Sequence, residues 1–188
     1  MFTDMTDQQK QMTNTIRAFV KRDVLPVVAD YDHRDEYPSA LVEKLNQMGL
    51  FGSLVPKDYG GLGLDHVTFS IIVEELCKGW MSLSGVFGSH SIMAYVIANF
   101  GTPDQKRRFL PPIAVGEKRG GICLTEPEGG SDLQNIRTTA MKDGDEYVIN
   151  GAKMFVTNGT RHNTFALIAK TDTTATPQYK GISCFIIE

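Results

Sequence analysis

The sequence lacks the features that mark several common classes of protein. It has only three cysteines in 188 residues and no Cys-x-x-Cys pair, which argues against a disulfide framework or a zinc site and fits a reducing compartment. The net charge is −3 and the basic residues are scattered, so we expect no basic face for nucleic acid. The longest apolar runs, such as 92–97, are far too short to span a bilayer.

Targeting and metal-binding signals are equally scarce. The first residues form neither a basic-then-apolar secretion signal nor an Arg-rich transit peptide, so a cytoplasmic protein is the default expectation. The four histidines never pair at metal-ligand spacing on one helix face, and we predict no metal site. His33 lies among four carboxylates, where a solvated helix end is favoured over a metal-binding loop. The remaining balance, 41% hydrophobic and 22% charged residues, is that of an ordinary globular protein.

Apolar residues recur at helical spacing through the first ~115 residues, which predicts a helical domain. Asp65 can cap one helix, and the segment 102–105, Thr-Pro-Asp-Gln, can open another with a capping box. The prolines at 111–112 should limit the length of that helix. The apolar stripes are Met12, Ile16, Phe19 and Val20; Leu41, Leu45 and Met48; Phe69, Ile72, Val73, Leu76 and Trp80; and Ile92, Met93, Val96, Ile97 and Phe100.

From Gly120 onwards the pattern changes to short runs rich in β-branched and aromatic residues, separated by turn signals. Asn150-Gly151 between two such runs predicts a hairpin. We therefore predict an α+β, multidomain chain, with an all-α domain over 1–118 and an incomplete antiparallel β-barrel or sandwich-like domain over 119–188. The predicted strands are 122–125, 136–141, 147–149, 153–156, 165–169 and 182–187.

The most informative stretch is 122–132, Ile-Cys-Leu-Thr-Glu-Pro-Glu-Gly-Gly-Ser-Asp. Its apolar strand end stops at Pro127, which cannot donate a ladder hydrogen bond. The glycines at 129–130 let a ligand approach bare backbone, while Thr125 and Ser131 supply hydroxyl groups. A flavin ring needs this mixture of donors and acceptors. By themselves the residues fit a tight β-turn, with the final aspartate capping local amides, at least as well.

The 122–132 segment strongly resembles the signature of the acyl-CoA dehydrogenase family: hydrophobic, Ser or Thr, Glu, Pro, two variable positions, Gly, Ser, Asp. The segment 150–159, Asn-Gly-Ala-Lys-Met-Phe-Val-Thr-Asn-Gly, resembles the family's second flavin segment, which usually has Trp where Phe155 stands. The resemblance covers nearly the whole chain in the family's order. Its other matches are 49–52, 56–63, 100–102, 105–106, 110–111 and 181–188.

This resemblance implies an FAD site. Ser131 would lie where contacts to the flavin pyrophosphate and to the acyl-CoA substrate meet, and the Thr157 hydroxyl would lie near flavin N5. Phenylalanine at 155 keeps an aromatic platform against the isoalloxazine but has no indole N–H donor. Glu128 is expected to face solvent. The residues assigned to the cofactor are Ile122, Cys123, Leu124, Thr125, Gly130, Ser131, Phe155, Val156 and Thr157.

The resemblance also implies a reaction: α,β-dehydrogenation of an acyl-CoA thioester, with an electron-transfer flavoprotein as acceptor and a dimeric or tetrameric assembly. The family's catalytic base is a carboxylate in a helical domain that follows the β domain, and Glu126 does not serve as that base. We therefore predict no catalytic residue in this chain. We expect the 188-residue polypeptide to bind flavin weakly without turnover. Acyl-CoA-dependent bleaching of a stoichiometrically yellow protein would contradict that expectation.

Two alternatives remain open from the sequence. One is an acyl-CoA oxidase or a nitroalkane-oxidising relative of the same superfamily, which oxygen consumption by the full-length parent would reveal. The other is a non-catalytic binding or assembly partner, which a reading frame continuing beyond codon 188 would reject. The acyl chain length of the substrate depends on cavity residues that the family draws partly from its later helical domain, so the sequence predicts no chain length.

Overall fold

The protein is described by a computed structural model that covers residues 5–188. The chain divides into two compact units, one ending at Glu117 and one running from Lys118 to Glu188. Within residues 5–117 the α-helices are α1 (Asp7–Phe19), α2 (Val28–His33), α3 (Ser39–Gln47), α4 (His66–Cys77), α5 (Met81–Phe100) and α6 (Pro103–Ala114). A π-helical segment (Val20–Val24) continues α1, and 3₁₀ turns lie at Leu50–Gly52 and Lys57–Tyr59.

The helix starts that local sequence predicts are confirmed. The Asp65 side chain accepts from the Thr68 amide at 2.9 Å at the start of α4. At the start of α6, Thr102 accepts from the Gln105 amide at 3.2 Å, and the Gln105 side chain accepts from the Thr102 amide at 2.8 Å. Each cap satisfies amides that have no partner inside the helix. The proline pair at 111–112 shortens α6 less than expected, since the helix continues to Ala114.

The helical unit contains a packed core whose buried residues follow the predicted stripes. Phe19, Leu45 and Leu76 are among its members and are nearly inaccessible to solvent. Two stripe residues were predicted wrongly, because Ile92 and Phe100 are exposed. On α5 the buried positions run along one side from residue 83 to 97, so Ile92 lies on the opposite side and Phe100 is the final residue.

Helix α5 is also the one helix in the described part of the chain that is long and apolar enough to cross a membrane. Length and composition are its only qualifications, and a core helix of a globular protein passes the same test. Half of its most apolar window is buried, and Leu83, Val86 and Phe87 belong to the helical core. The helix therefore provides only weak evidence for a membrane span.

The second unit is built on a mixed sheet. Its strands are β1 (Gly120–Cys123), β2 (Thr139–Asp143), β3 (Glu146–Asn150), β4 (Thr164–Lys170) and β5 (Ile182–Ile187). They lie in the order β1-β4-β2-β3, with β5 also paired to β4. Strand β4 pairs in parallel with β1 and β2, while β2–β3 and β4–β5 are antiparallel. The buried side chains of this sheet come mainly from β4, together with Cys123 and Ala140.

The α+β class predicted from the sequence is confirmed, and the structure changes three details of the sheet. It is mixed rather than wholly antiparallel. The hairpin turn is at Gly144, whose φ of 59° suits a two-residue turn between Asp143 and Glu146, and not at Asn150-Gly151. Residues 153–156 form no strand, because Phe155 adopts a positive φ that breaks an extended conformation.

Candidate cofactor-binding site

The first predicted cofactor segment leaves the sheet at the end of β1 and folds into a tight turn. Glu126 and Gly129 exchange two backbone hydrogen bonds, of 2.9 and 3.1 Å, around Pro127-Glu128. At Gly129 a Cβ would meet nothing within 4 Å, whereas at Gly130 it would lie 3.3 Å from the Thr125 methyl group. The tight-turn interpretation of the sequence is therefore correct for 126–129, and the turn presents exposed backbone on its glycine side.

The second segment, 151–159, is irregular and contains two left-handed residues. Phe155 has a φ of 55°, and the residue is 84% exposed to solvent. Asn158 has a φ of 70° and is buried, and its side-chain amide donates to the Gly120 carbonyl at 2.8 Å. A bulky residue held at positive φ costs free energy, and such strain is typical of ligand sites. The loop thus displays an exposed aromatic ring, while its Asn158 side chain is bonded to β1.

Direct contacts hold the two segments together. The Met154 amide donates to the Thr125 carbonyl at 2.8 Å. The Lys153 ammonium group donates to the Leu124 carbonyl at 3.0 Å. Asn158 adds the contact to β1 already described. Segments that are about 30 residues apart in the sequence therefore form one continuous wall, as two halves of a common ligand site require.

A buried ion pair lies behind this wall. The Glu126 carboxylate accepts from Lys153 at 2.8 Å and from the backbone amides of Arg137 and Thr138, the latter at 2.9 Å. The Lys153 and Glu126 side chains are only 6% and 3% exposed. Burial by itself would raise the pKa of Glu126, but these hydrogen bonds outweigh it and lower the pKa to about 2. Glu126 is therefore an ionised structural anchor.

The structure places the predicted site residues at different depths along the wall. Cys123 is buried in the sheet core, and burial raises the pKa of its thiol, so this residue can offer only its backbone to a ligand. Glu128 is exposed and pairs with Arg137 at 3.3 Å, as the expected solvent-facing position requires. The half-buried positions are Ile122, Leu124, Thr125, Val156 and Thr157, and the exposed ones are Gly130, Ser131 and Phe155.

Sequence reasoning missed Lys153 and Asn158 as structural parts of the site. A signal existed for Asn158, because asparagine before glycine is one of the few residue types that adopt positive φ readily. For Lys153 no local signal was available, since the carboxylate that neutralises it is 27 positions away. No group of three metal-ligating side chains occurs in the part of the chain that the structure covers.

The chemistry of this wall fits a flavin. Phe155 offers an exposed aromatic face, and rings of this kind stack on other planar rings. Thr125 and Ser131 offer hydroxyl groups, and the backbone at 129–131 is exposed.

The Thr125 amide has a defined orientation. A trans peptide holds its N–H opposite its carbonyl. The Thr125 amide is therefore directed away from Lys153, to which the Leu124 carbonyl of the same peptide is bound.

Comparison with known proteins agrees with the fold. Residues 6–117 match the family model described as acyl-CoA dehydrogenase, N-terminal domain, and residues 121–188 match acyl-CoA dehydrogenase, middle domain. Together these matches cover almost all of the sequence. The chain belongs to the acyl-CoA dehydrogenase family.

Individual relatives give the extent of the similarity. The chain is 40% identical over 186 residues to a short-chain-specific acyl-CoA dehydrogenase of Clostridium acetobutylicum, covering 98% of this chain and 48% of that protein. Butyryl-CoA dehydrogenase from Megasphaera elsdenii superposes with a TM-score of 0.89 at 33% identity, over 100% of this chain and 50% of the other. An acyl-CoA dehydrogenase complexed with FAD from Bacillus anthracis gives 0.84 at 33% identity, over 98% and 32%. The chain spans about half the length of the curated relatives it matches.

Proposed function

We propose that this chain supplies the helical domain and the flavin wall of an FAD-dependent acyl-CoA dehydrogenase. The observation that carries the proposal is the joining of 122–132 to 151–159 by direct hydrogen bonds, with an exposed aromatic ring on the second segment. The domains would be 1–118 and 119–188. An electron-transfer flavoprotein would be the acceptor, the assembly would be a homodimer or homotetramer, and the location would be cytoplasmic.

In this proposal the residues of the wall bind and orient the reactants. Thr125 and Ser131 would hold the flavin by hydrogen bonds, and Phe155, Val156 and Thr157 would cover one side of the ring. Ser131 would also contact the acyl-CoA substrate. The bound flavin would supply the redox chemistry by accepting the β hydride at N5. The chain's own part is therefore positioning, which can lower a reaction barrier substantially when the reacting atoms are held in contact.

Removal of the α proton requires a base, and Glu126 is unsuited to that task. It is buried and fully engaged with Lys153 and two amides, and a carboxylate whose pKa is about 2 attracts a proton weakly. We therefore assign no catalytic residue among the described residues 5–188. The base would come from the part of the acyl-CoA dehydrogenase fold that follows the middle domain.

A titration with FAD tests the cofactor assignment. FAD fluorescence is followed as the purified 188-residue chain is added, with Phe155→Ala as the matched variant. We expect saturable quenching of the FAD fluorescence and a weaker FAD affinity in the variant. The exposed Phe155 ring is available to stack on the flavin and is not part of the protein core. Absence of saturable binding by the unaltered chain would reject the cofactor assignment.

The reaction also requires the part of the acyl-CoA dehydrogenase fold that follows the middle domain, which a relative can provide. Residues 1–188 are joined to the remainder of the C. acetobutylicum short-chain enzyme, and that enzyme itself serves as the control. We expect acyl-CoA to bleach the flavin absorbance of the joined protein. An FAD-loaded joined protein that no straight-chain or branched acyl-CoA bleaches, beside an active control, would contradict the proposed reaction.

A further inference from the structure

The buried ion pair between Glu126 and Lys153 joins the two cofactor segments, and a contribution to protein stability does not by itself explain that location. Lys153 contacts the first cofactor segment twice, at the Leu124 carbonyl and at the Glu126 carboxylate, while its own backbone belongs to the second segment. Removing two charges from water is costly, and well-packed apolar residues often stabilise a protein as well as a buried ion pair does. The hydrogen bonds of this pair fix the orientation of backbone groups in the first segment. A ligand site needs backbone donors and acceptors that are held in a defined orientation.

The contact to Leu124 fixes the orientation of one peptide group. The Leu124 carbonyl points to Lys153, so the N–H of the same peptide, which belongs to Thr125, points to the opposite side. The next peptide is held as well, because the Thr125 carbonyl accepts from the Met154 amide and the Glu126 amide donates to Gly129. Two successive peptides of the first segment are thereby fixed from the side of the second segment.

Glu126 extends the same restraint to the sheet. Its carboxylate accepts from the Arg137 and Thr138 amides, just before β2 begins at Thr139. The Thr138 carbonyl in turn accepts from the Lys170 amide at the end of β4 at 2.8 Å. The carboxylate therefore links the cofactor segment to two strands of the sheet, which gives the segment a rigid support.

We propose that Glu126 and Lys153 are a positioning pair for the cofactor wall: they hold the Leu124–Thr125 peptide so that the Thr125 amide faces a bound flavin. This inference rests on the proposed FAD-dependent function. The pair contacts the wall from behind and exchanges no proton with substrate or cofactor. Its loss would weaken flavin binding in protein that remains folded, which a purely structural pair would not do.

The test follows the Thr125 amide resonance and the FAD affinity of the purified chain by nuclear magnetic resonance. The variants are Lys153→Met, Lys153→Arg and Glu126→Gln, with Leu45→Ala in the core of the helical unit as a destabilising control outside both cofactor segments. Each is measured where urea titration shows equal folded fractions. We expect the FAD dissociation constant to rise about 10- to 100-fold in Lys153→Met, the range seen when outer-shell partners of bound metals are removed.

The expected pattern includes rescue and a control. Lys153→Arg should retain most of the affinity and the FAD-induced shift of the Thr125 resonance, and Leu45→Ala should retain both. Equal affinity and an equal Thr125 shift in Lys153→Met and the unaltered chain would overturn the inference. If Lys153→Met does not fold, the double variant Glu126→Gln/Lys153→Gln, which leaves no unpaired buried charge, provides the same comparison.

The same titration separates failure of the cofactor assignment from failure of the positioning role. If FAD shifts no resonance of the unaltered chain, the proposed cofactor function is rejected. If FAD shifts the resonances of 155–157 and Ser131 but leaves Thr125 unaffected, the flavin assignment stands and the positioning role is rejected.

Discussion

Among residues 5–188, each unit of the molecule buries one carboxylate against basic partners, and the two sites differ in how far those partners are buried. In the helical unit Glu75 is bound by Arg17 at 2.9 Å and by Lys78 at 2.7 Å, whose side chains are 47% and 52% exposed. In the sheet unit Glu126 is bound by Lys153, whose side chain is 6% exposed. The first site joins α1 to α4 at the surface, and the second joins the segments 122–132 and 151–159 through buried contacts.

The difference in burial predicts a difference in energetics. Exposed charges retain their hydration when a partner is lost, and surface ion pairs contribute about 0–1 kcal/mol. A buried charge that loses its partner cannot be hydrated in the same way, so the loss of stability is larger. The hydrogen bonds from Arg17, together with those from Lys78, lower the pKa of Glu75 against the effect of burial, as the corresponding bonds do for Glu126. The pKa values of both carboxylates are therefore lowered, but loss of a basic partner should destabilise the protein more at Glu126 than at Glu75.

The largest effect is expected when Lys153 is replaced. Lys153→Met leaves the Glu126 charge buried and should lower the free energy of unfolding by about 3–5 kcal/mol. The matched change in the helical unit, Lys78→Met, leaves Glu75 with Arg17 and should cost about 1 kcal/mol or less. Urea unfolding of both variants measures the difference, and equal losses would remove the distinction between the two sites.

Lowering the pH should reduce the stabilisation that both carboxylates provide, and the effect at Glu126 should be strong. Because its folded pKa is about 2, below the ordinary 4.5, its stabilisation is complete above about pH 4.5 and is lost as the pH falls towards 2. The loss should be on the order of 3 kcal/mol. Urea unfolding of the unaltered chain and of Glu126→Gln across this window gives the measurement. A stability difference between the two that does not change with pH would contradict this origin of the stabilisation.

A smaller effect is expected from the close approach of Gly151 to Thr138, the residue before β2. A Cβ at Gly151 would lie 2.3 Å from the Thr138 hydroxyl oxygen and 2.7 Å from its Cα, so Gly151→Ala forces the backbone apart and should cost about 1–3 kcal/mol. Gly85→Ala on α5 meets nothing within 4 Å and should stabilise by about 0.5–1 kcal/mol. Thermal unfolding of the two variants compares the units, and a neutral Gly151→Ala would contradict the packing described here.

The smallest effect on stability is expected at Phe155. Because the residue is 84% exposed, Phe155→Ala should change the free energy of unfolding by no more than about 0.5 kcal/mol. Its effect should instead appear in flavin affinity. Urea unfolding in the absence of flavin is the measurement, and a loss of several kcal/mol would mean that the ring is part of the core.

What the sequence predicted correctly was local. The caps of α4 and α6 depend on residues three positions apart, such as Thr102 and Gln105, and helical stripes such as Ile16–Phe19 depend on one turn. The tight turn at 126–129 follows from Pro127 and the glycines beside it. These features need no information from the rest of the chain, so physical rules applied to the sequence are sufficient.

What the sequence did not predict depends on distant partners. The parallel pairing of β1 with β4 joins Ile122 to Ala166. The strand expected at 153–156 is absent because Phe155 has a positive φ, in a loop whose Lys153 and Met154 bind the first segment. Tertiary contacts of this kind override local propensity. The assignment of individual residues to FAD remains a prediction, carried by the family resemblance and by the geometry of the wall.

The most direct test of the central claim is an amide-resolved titration of the unaltered chain with FAD. The two segments form one wall, so we predict that the resonances of Thr125, Ser131 and 155–157 shift together with a single dissociation constant. Shifts in only one of the two segments, or different dissociation constants for the two, would contradict a common flavin site.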